Sequence, residues 1–251
     1  MRRQAVILAG GFGTRLKSLV SDLPKPMALI NNIPFLAYLL NLLQKYNFEK
    51  VVLAAGYKSE AIRLHFGSSY NNIELIYSVE NEPLGTGGAI SAATGFIDAE
   101  YFTVLNGDTF FDVDFKEMEE KFLNNNNGLM VALKPLENFE RYGTVEINEA
   151  RIISFNEKRY CRKGLINGGT YLLSKEWLNK KALAKKYSFE KDILETVIGI
   201  ESIGYYISDG YFIDIGIPED YERALNELPL MVYPPTPSSA QLGASSKGGL
   251  I

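Results

Sequence analysis

Apolar runs at residues 5–9, 51–55, 73–79, 101–105 and 129–133 alternate with amphipathic segments at 35–46, 60–66, 88–96 and 115–124. Runs this short read as buried strands, and the segments between them repeat with helical period. The order leaves few topologies. Strand–helix alternation builds a parallel α/β sheet with helices on both faces. Ligands of such sheets bind beyond the carboxyl ends of the strands. Three distinctive sequences fall there: Gly10 to Arg15 after the first run, Gly56-Tyr57-Lys58 after the second, and Asn106-Gly107-Asp108 after the fourth.

From about Gly143 the texture changes. Short β-type runs at 144–147, 152–155 and 169–173 read as an α+β continuation that closes over the sheet and carries the second substrate. A late strand at 212–215 and a helix at 218–228, with proline in its first turn, follow. The expectation is one domain over 1–228, with a nucleotide-binding part to about 142 and a sugar-phosphate-binding part from 143. Residues 229–251 hold four of the ten prolines and no acidic residue, and read as a tail. A net charge of −4 favours neither nucleic acid nor an anionic membrane. The single cysteine, Cys161, excludes an internal disulfide and points to a reducing, cytoplasmic setting.

The first loop reads Leu8-Ala9-Gly10-Gly11-Phe12-Gly13-Thr14-Arg15-Leu16. Glycines let backbone N–H groups approach phosphate, and Arg15 adds a fixed cation. A plain strand-to-helix turn would use the same glycines. No Lys-Ser or Lys-Thr closes the loop as a Walker A motif requires, and Leu16 stands where a dinucleotide fingerprint needs its third glycine.

Further candidates lie downstream. Asp108 at a strand tip is a short, hard ligand for Mg²⁺, or else an aspartate closing a turn. Asp214 ends the late strand; if it converges with Asp108, the two share one metal. Lys25 sits between Pro24 and Pro26, which fix its stem. Leu84-Gly85-Thr86-Gly87-Gly88-Ala89 opens a helix, where glycines would lie against a flat ring and the helix N-terminus would favour an anion. Glu80, slightly earlier, matches the paired N–H donors of guanine, or else is a solvated glutamate at a strand end. Glu157 and Asn167 are candidates for sugar hydroxyls and Lys158 for the sugar's phosphate. His65 is the only histidine, so a Cys/His metal cluster is excluded and chemistry falls to metal, cations and backbone donors.

Taken in order, G-G-F-G-T-R-L, P-K-P, L-G-T-G-G-A, N-G-D, Y-G-T-V, N-E-K, N-G-G-T-Y and I-D-I-G-I-P-E-D-Y resemble the sugar-1-phosphate nucleotidylyltransferases over residues 4 to about 226. Within them the chain is most similar to the D-glycero-D-manno-heptose 1-phosphate guanylyltransferases, with the mannose-1-phosphate enzymes next. The resemblance implies a Rossmann-like, GT-A-type α/β fold with a mixed, mostly parallel sheet flanked by helices. It implies GTP and a sugar 1-phosphate giving a GDP-sugar and pyrophosphate for bacterial surface polysaccharide, with Mg²⁺ as cofactor. Arg15, Lys25 and Asp108 would be catalytic. Leu8, Gly10, Gly11, Gly13, Thr14, Glu80, Gly85 and Gly88 would bind the nucleotide. Gly143, Glu157, Lys158, Asn167 and Gly168 would bind the sugar phosphate, and Asp108 and Asp214 the metal. Ile217 replaces a common threonine, and Arg159 a frequent proline after Lys158.

Two other classes compete. A GT-A glycosyltransferase would use Asp112-Val113-Asp114 as its D-x-D metal motif, against which stands simple capping of the next helix. A non-catalytic sugar-nucleotide sensor would be expected to have lost Arg15 or a metal aspartate. Oligomeric state rests on base rates, which favour a homodimer.

Overall fold

In the computed structural model, which describes residues 2–10, 23–56, 58–125, 127–181 and 184–231, the five apolar runs all become strands. These are β1 (Arg3–Leu8), β4 (Phe48–Ala55), β6 (Ile73–Val79), β7 (Tyr101–Asn106) and β9 (Leu129–Phe139). The amphipathic segments become α1 (Phe35–Lys45), α2 (Ser59–Phe66), α3 (Gly85–Ala93) and α4 (Phe115–Asn125). Short pairs β2 (Leu29–Ile30) with β3 (Ile33–Pro34), and β5 (Ser69–Tyr70) at the rim, trim the connections.

The later chain supplies β8 (Thr109–Phe111), β10 (Gly143–Asn148), β11 (Arg151–Lys158), β12 (Cys161–Ser174), β13 (Gly204–Ile207) and β14 (Phe212–Asp214). Its helices are α5 (Lys175–Asn179), α6 (Glu195–Val197) and α7 (Pro218–Met231). The main sheet runs β11-β10-β12-β7-β1-β4-β6-β5, with β9 branching from β12 and β13 pairing with β9. The sheet is mixed. Strands β7, β1, β4 and β6 are parallel, while β12 joins β7 antiparallel. The chain from 143 therefore divides: β12, β10 and β11 extend the sheet past β7 instead of closing over it, while Phe189, Ile193 and α7 do cover its faces. Strand periodicity reveals the inward face but not which edge the strand will join. Helix α7 also runs beyond its expected end at 228, through Pro229 to Met231.

Alternation along β1 explains the layers. Ala5 and Ile7 point into a core with α1, α4 and α7, while Val6 points into a second core with α3, Phe189 and Ile193. All three are fully buried, as expected of a central strand covered on both faces. Among the described residues no helix is long and apolar enough to cross a membrane.

The β7–β8 turn is fastened to this core. Gly107 donates its N–H to the Leu8 carbonyl at 3.1 Å, and a Cβ at 107 would lie 2.5 Å from that same oxygen. Backbone on both sides cannot yield cheaply. Gly107→Ala is expected to destabilise the protein by about 1–3 kcal/mol, read as a lower thermal midpoint and weakened activity.

Candidate active site

The turn after β7 carries Asp108. β8 then pairs antiparallel with β14, setting Thr109 opposite Asp214, and Ile215 donates its N–H to the Asp108 carbonyl at 2.9 Å. Two carboxylates far apart in sequence are thus brought to one cleft of about 360 Å³, as the shared-metal reading required. Lys25, Arg141, Tyr142, Lys158 and Gly216 complete its lining.

Each carboxylate has a cation beside it. Lys25 Nζ donates to Asp108 Oδ2 at 2.9 Å, from the first residue of a 3-10 turn (Lys25–Met27) that Pro24 precedes and Pro26 stiffens from within. Asp214 Oδ1 accepts the Gly216 N–H at 2.7 Å, and its Oδ2 lies 3.7 Å from Arg141 Nη2. Arg141 is held in turn by buried Asp220, which also accepts from Arg223 at 3.0 Å.

These cations do not cancel the cost of gathering the acids. Burial pushes the Asp214 carboxyl above its usual range, and the Asp108 charge pushes it further. Gly216 N–H, Arg141 and Lys25 pull the other way without reversing the shift. Two hard oxygen donors lining one cleft suit a divalent cation, which would offset both the burial of Asp214 and its repulsion by Asp108. No cluster of three acidic, histidine or cysteine ligands exists among the described residues. The remaining coordination would fall to substrate oxygens and water, which is the usual way Mg²⁺ is held.

A second cleft, of about 420 Å³, lies beyond the ends of β1, β4 and β6. Leu8, Gly10, Glu80, Gly85 and Thr86 line it, with Ala54 and Gly56 forming part of the wall. Glu80 is half-buried and its Oε2 accepts the Leu84 N–H at 3.1 Å, so its carboxylate is anchored in the cleft. Gly11, Gly13, Thr14 and Arg15 lie outside the described residues.

The start of α3 differs from the expected anion seat. Gly87 and Gly88 donate their N–H groups to the Tyr187 carbonyl at 3.1 and 3.4 Å. A Cβ at Gly87 would strike the Tyr187 ring, and one at Gly88 would lie 2.6 Å from the Lys185 carbonyl. These glycines admit the chain's own 185–187 segment. Gly88 is buried beneath it and does not line the cleft; Gly85 does.

The sugar-side candidates separate. Lys158, at the end of β11, lines the acidic cleft and pairs in register with Gly143. Glu157 is exposed beside it and lines neither cleft. Asn167 sits where the β12–β9 register shifts, and its amide donates to Tyr171 Oη and accepts from Gly169 N, both at 2.9 Å. Gly168 is buried against the Phe111 ring. Sequence reading missed Arg141 and Tyr142, although the arginine directly precedes the quoted Y-G-T-V. Asp114 Oδ1 accepts from Lys116 N and Glu117 N at 2.9 and 3.0 Å, so it caps α4 as the simpler alternative held.

Comparison with known proteins gives a consistent picture. The profile of the nucleotidyl transferase family matches residues 4–229. The D-glycero-alpha-D-manno-heptose 1-phosphate guanylyltransferase of Aneurinibacillus thermoaerophilus is 48% identical over 225 residues, covering 90% of this chain and 98% of its own. The enzyme of the same name from Campylobacter jejuni is 48% identical over 223 residues, covering 88% and 98%. The crystal structure of HddC from Yersinia pseudotuberculosis complexed with GMP-PN superposes with a TM-score of 0.80 at 38% identity, covering 90% of this chain and 99% of that one.

Proposed function

The chain belongs to the nucleotidyl transferase family, and from that premise we propose that it transfers GMP from GTP to D-glycero-α-D-manno-heptose 1-phosphate, releasing pyrophosphate. The observation that carries the reading is the meeting of Asp108 and Asp214 in a cleft with Lys25, Arg141 and Lys158, next to a cleft that holds Glu80. The near-full-length likeness to two heptose 1-phosphate guanylyltransferases supports the choice of base and sugar.

The chemistry follows from the charges. An acceptor phosphate oxygen attacks the α-phosphorus in line as the bond to pyrophosphate breaks. Asp108 and Asp214 would hold Mg²⁺, which when bound supplies Lewis-acid charge to the reacting phosphate. Lys25 leaves Asp108 for the nucleotide's phosphates. Arg15 neutralises the departing pyrophosphate, and Gly10, Gly11, Gly13 and Thr14 bind the nucleotide. Lys158 and Arg141 hold the acceptor phosphate between them. Asn167, Gly143 and Gly168 shape the sugar side, and Glu157, exposed beside Lys158, is the candidate for a sugar hydroxyl at its rim. The single cysteine suits a cytoplasmic reaction.

The deciding experiment is pyrophosphate release from GTP, ATP, CTP, UTP and dTTP against heptose, mannose and glucose 1-phosphates. GTP with the heptose is expected to win; a preference for CTP or UTP overturns the guanine reading, and no pyrophosphate at all points to a glycosyltransferase or a sensor. Glu80 offers a sharper test. Guanine presents two parallel donors that a carboxylate accepts together, whereas a glutamine turns one acceptor into a donor. Glu80→Gln is expected to raise the KM for GTP roughly tenfold or more, with the poor use of ATP unchanged.

A further inference from the structure

We infer that Glu190 is a positioning residue for the nucleotide cleft: through Thr86 it fixes the first turn of α3, and it reaches there from the sugar-side half of the chain. The inference rests on the nucleotide cleft proposed above. Thr86 lines that cleft, and its Oγ1 donates to Glu190 Oε2 at 2.6 Å while accepting the Phe189 N–H at 2.9 Å. Both roles of the hydroxyl are thus used, and one bond is charge-assisted and short. Glu190 is itself held. Ser188 Oγ donates to the same oxygen at 3.0 Å, and Glu190 opens a π-helical turn (Glu190–Leu194), a geometry that recurs at functional sites.

Packing alone already seats this segment. Tyr187 fills the space left by Gly87, its carbonyl takes two N–H groups of α3, and its hydroxyl lies 2.7 Å from Ser91 Oγ. The Thr86–Glu190 bond adds something packing does not: it fixes the rotamer of a hydroxyl on the cleft wall and, with it, the first turn of α3. The same carboxylate stands close to the second substrate's side. It raises the proton affinity of fully buried Tyr171, after burial itself, and Tyr171 Oη is the partner of Asn167. The Tyr171 and Phe189 rings meet edge to face at 5.0 Å. One acidic group therefore braces the nucleotide wall and adjoins the sugar-side bulge.

The test is calorimetric binding of GTP, ATP, CTP and UTP, without acceptor, to wild type, Thr86→Val, Thr86→Ser, Glu190→Ala and Glu190→Gln. Valine keeps the shape of Thr86 and removes the hydroxyl. Thr86→Val and Glu190→Ala are expected to weaken the best-bound nucleotide by roughly tenfold, the scale of one charge-assisted hydrogen bond. Thr86→Ser is expected to bind as wild type does, and Glu190→Gln, which keeps an acceptor oxygen, within about threefold of it. Full wild-type affinity in Thr86→Val overturns the inference, as does equal loss in Thr86→Ser and Thr86→Val. A wild-type protein that binds none of the four nucleotides overturns the functional reading and this inference with it. Binding that all four variants retain overturns this inference alone.

Discussion

Asp108→Asn is expected to cut turnover by about 10²–10⁴ while the protein keeps its fold and its hold on GTP. Asparagine has nearly the same shape, so the β7–β8 turn, fastened by Gly107 N–H to Leu8 and Ile215 N–H to the Asp108 carbonyl, survives the change. What disappears is one of the two negative charges that line the cleft. A metal left with Asp214 alone is bound more weakly and placed less well, so the loss appears in kcat. Free GTP carries negative charge, and removing a carboxylate frees Lys25 for its phosphates. Affinity for GTP in the absence of divalent cation is therefore expected to be unchanged or improved. Asp214→Asn is expected to behave in the same way. Asp112→Asn serves as control, because its side chain forms an ion pair with Lys45 at 3.6 Å on the surface, while its backbone bonds to Tyr211 and Ser208 survive the change, and near-normal turnover is expected. Pyrophosphate release under saturating substrates, with circular dichroism for the fold, decides the matter. Near-normal rates in Asp108→Asn, or a collapse in Asp112→Asn, would remove the metal assignment and reopen the D-x-D alternative.

The parts of the site that could be read from sequence are those fixed by local chemistry at strand ends. Asp108 and Asp214 each close an apolar run, and open α/β sheets gather such ends on one side. Lys25 was marked by its two prolines, and Asp114 by its place before an amphipathic run. The glycines of 85–88 show where such reading stops. A glycine signals that something approaches closely, yet it does not say whether the visitor is a base or the chain itself. At Gly87 and Gly88 the visitor is the 185–187 segment, about a hundred residues downstream. Arg141 was silent for a related reason. Its meaning depends on Asp214 and Asp220, which reach it only through the β8–β14 pairing and the first turn of α7. The extension of the sheet by β12 was equally hidden, because alternation along a strand carries no label for the neighbour it will choose.

Replacing Lys25 separates a structural ion pair from a catalytic charge by magnitude alone. Lys25 and Asp108 are 24% and 31% exposed at 2.9 Å, so solvent screens the pair and its worth to folding is at most about 1 kcal/mol. Lys25→Met keeps the stem's bulk and removes the charge. If the pair were only structural, the thermal midpoint would move by a few degrees and catalysis would follow it. If Lys25 is held by Asp108 until a triphosphate arrives, it then loses that partner and meets charge that grows in the transition state. Removing such a contact costs about 3–4 kcal/mol of barrier, or roughly 10²–10³ in rate. The expected result is therefore a large kinetic loss beside a small change in stability. Lys25→Arg should not recover the rate. The Pro24 and Pro26 rings fix where the stem begins, and a planar guanidinium on that stem delivers its charge in a different place from a compact ammonium. Steady-state rates with GTP and heptose 1-phosphate, set against thermal midpoints of the same samples, make the comparison. A rate loss in Lys25→Met below about tenfold, or full recovery in Lys25→Arg, would assign the lysine to the fold rather than to the reaction.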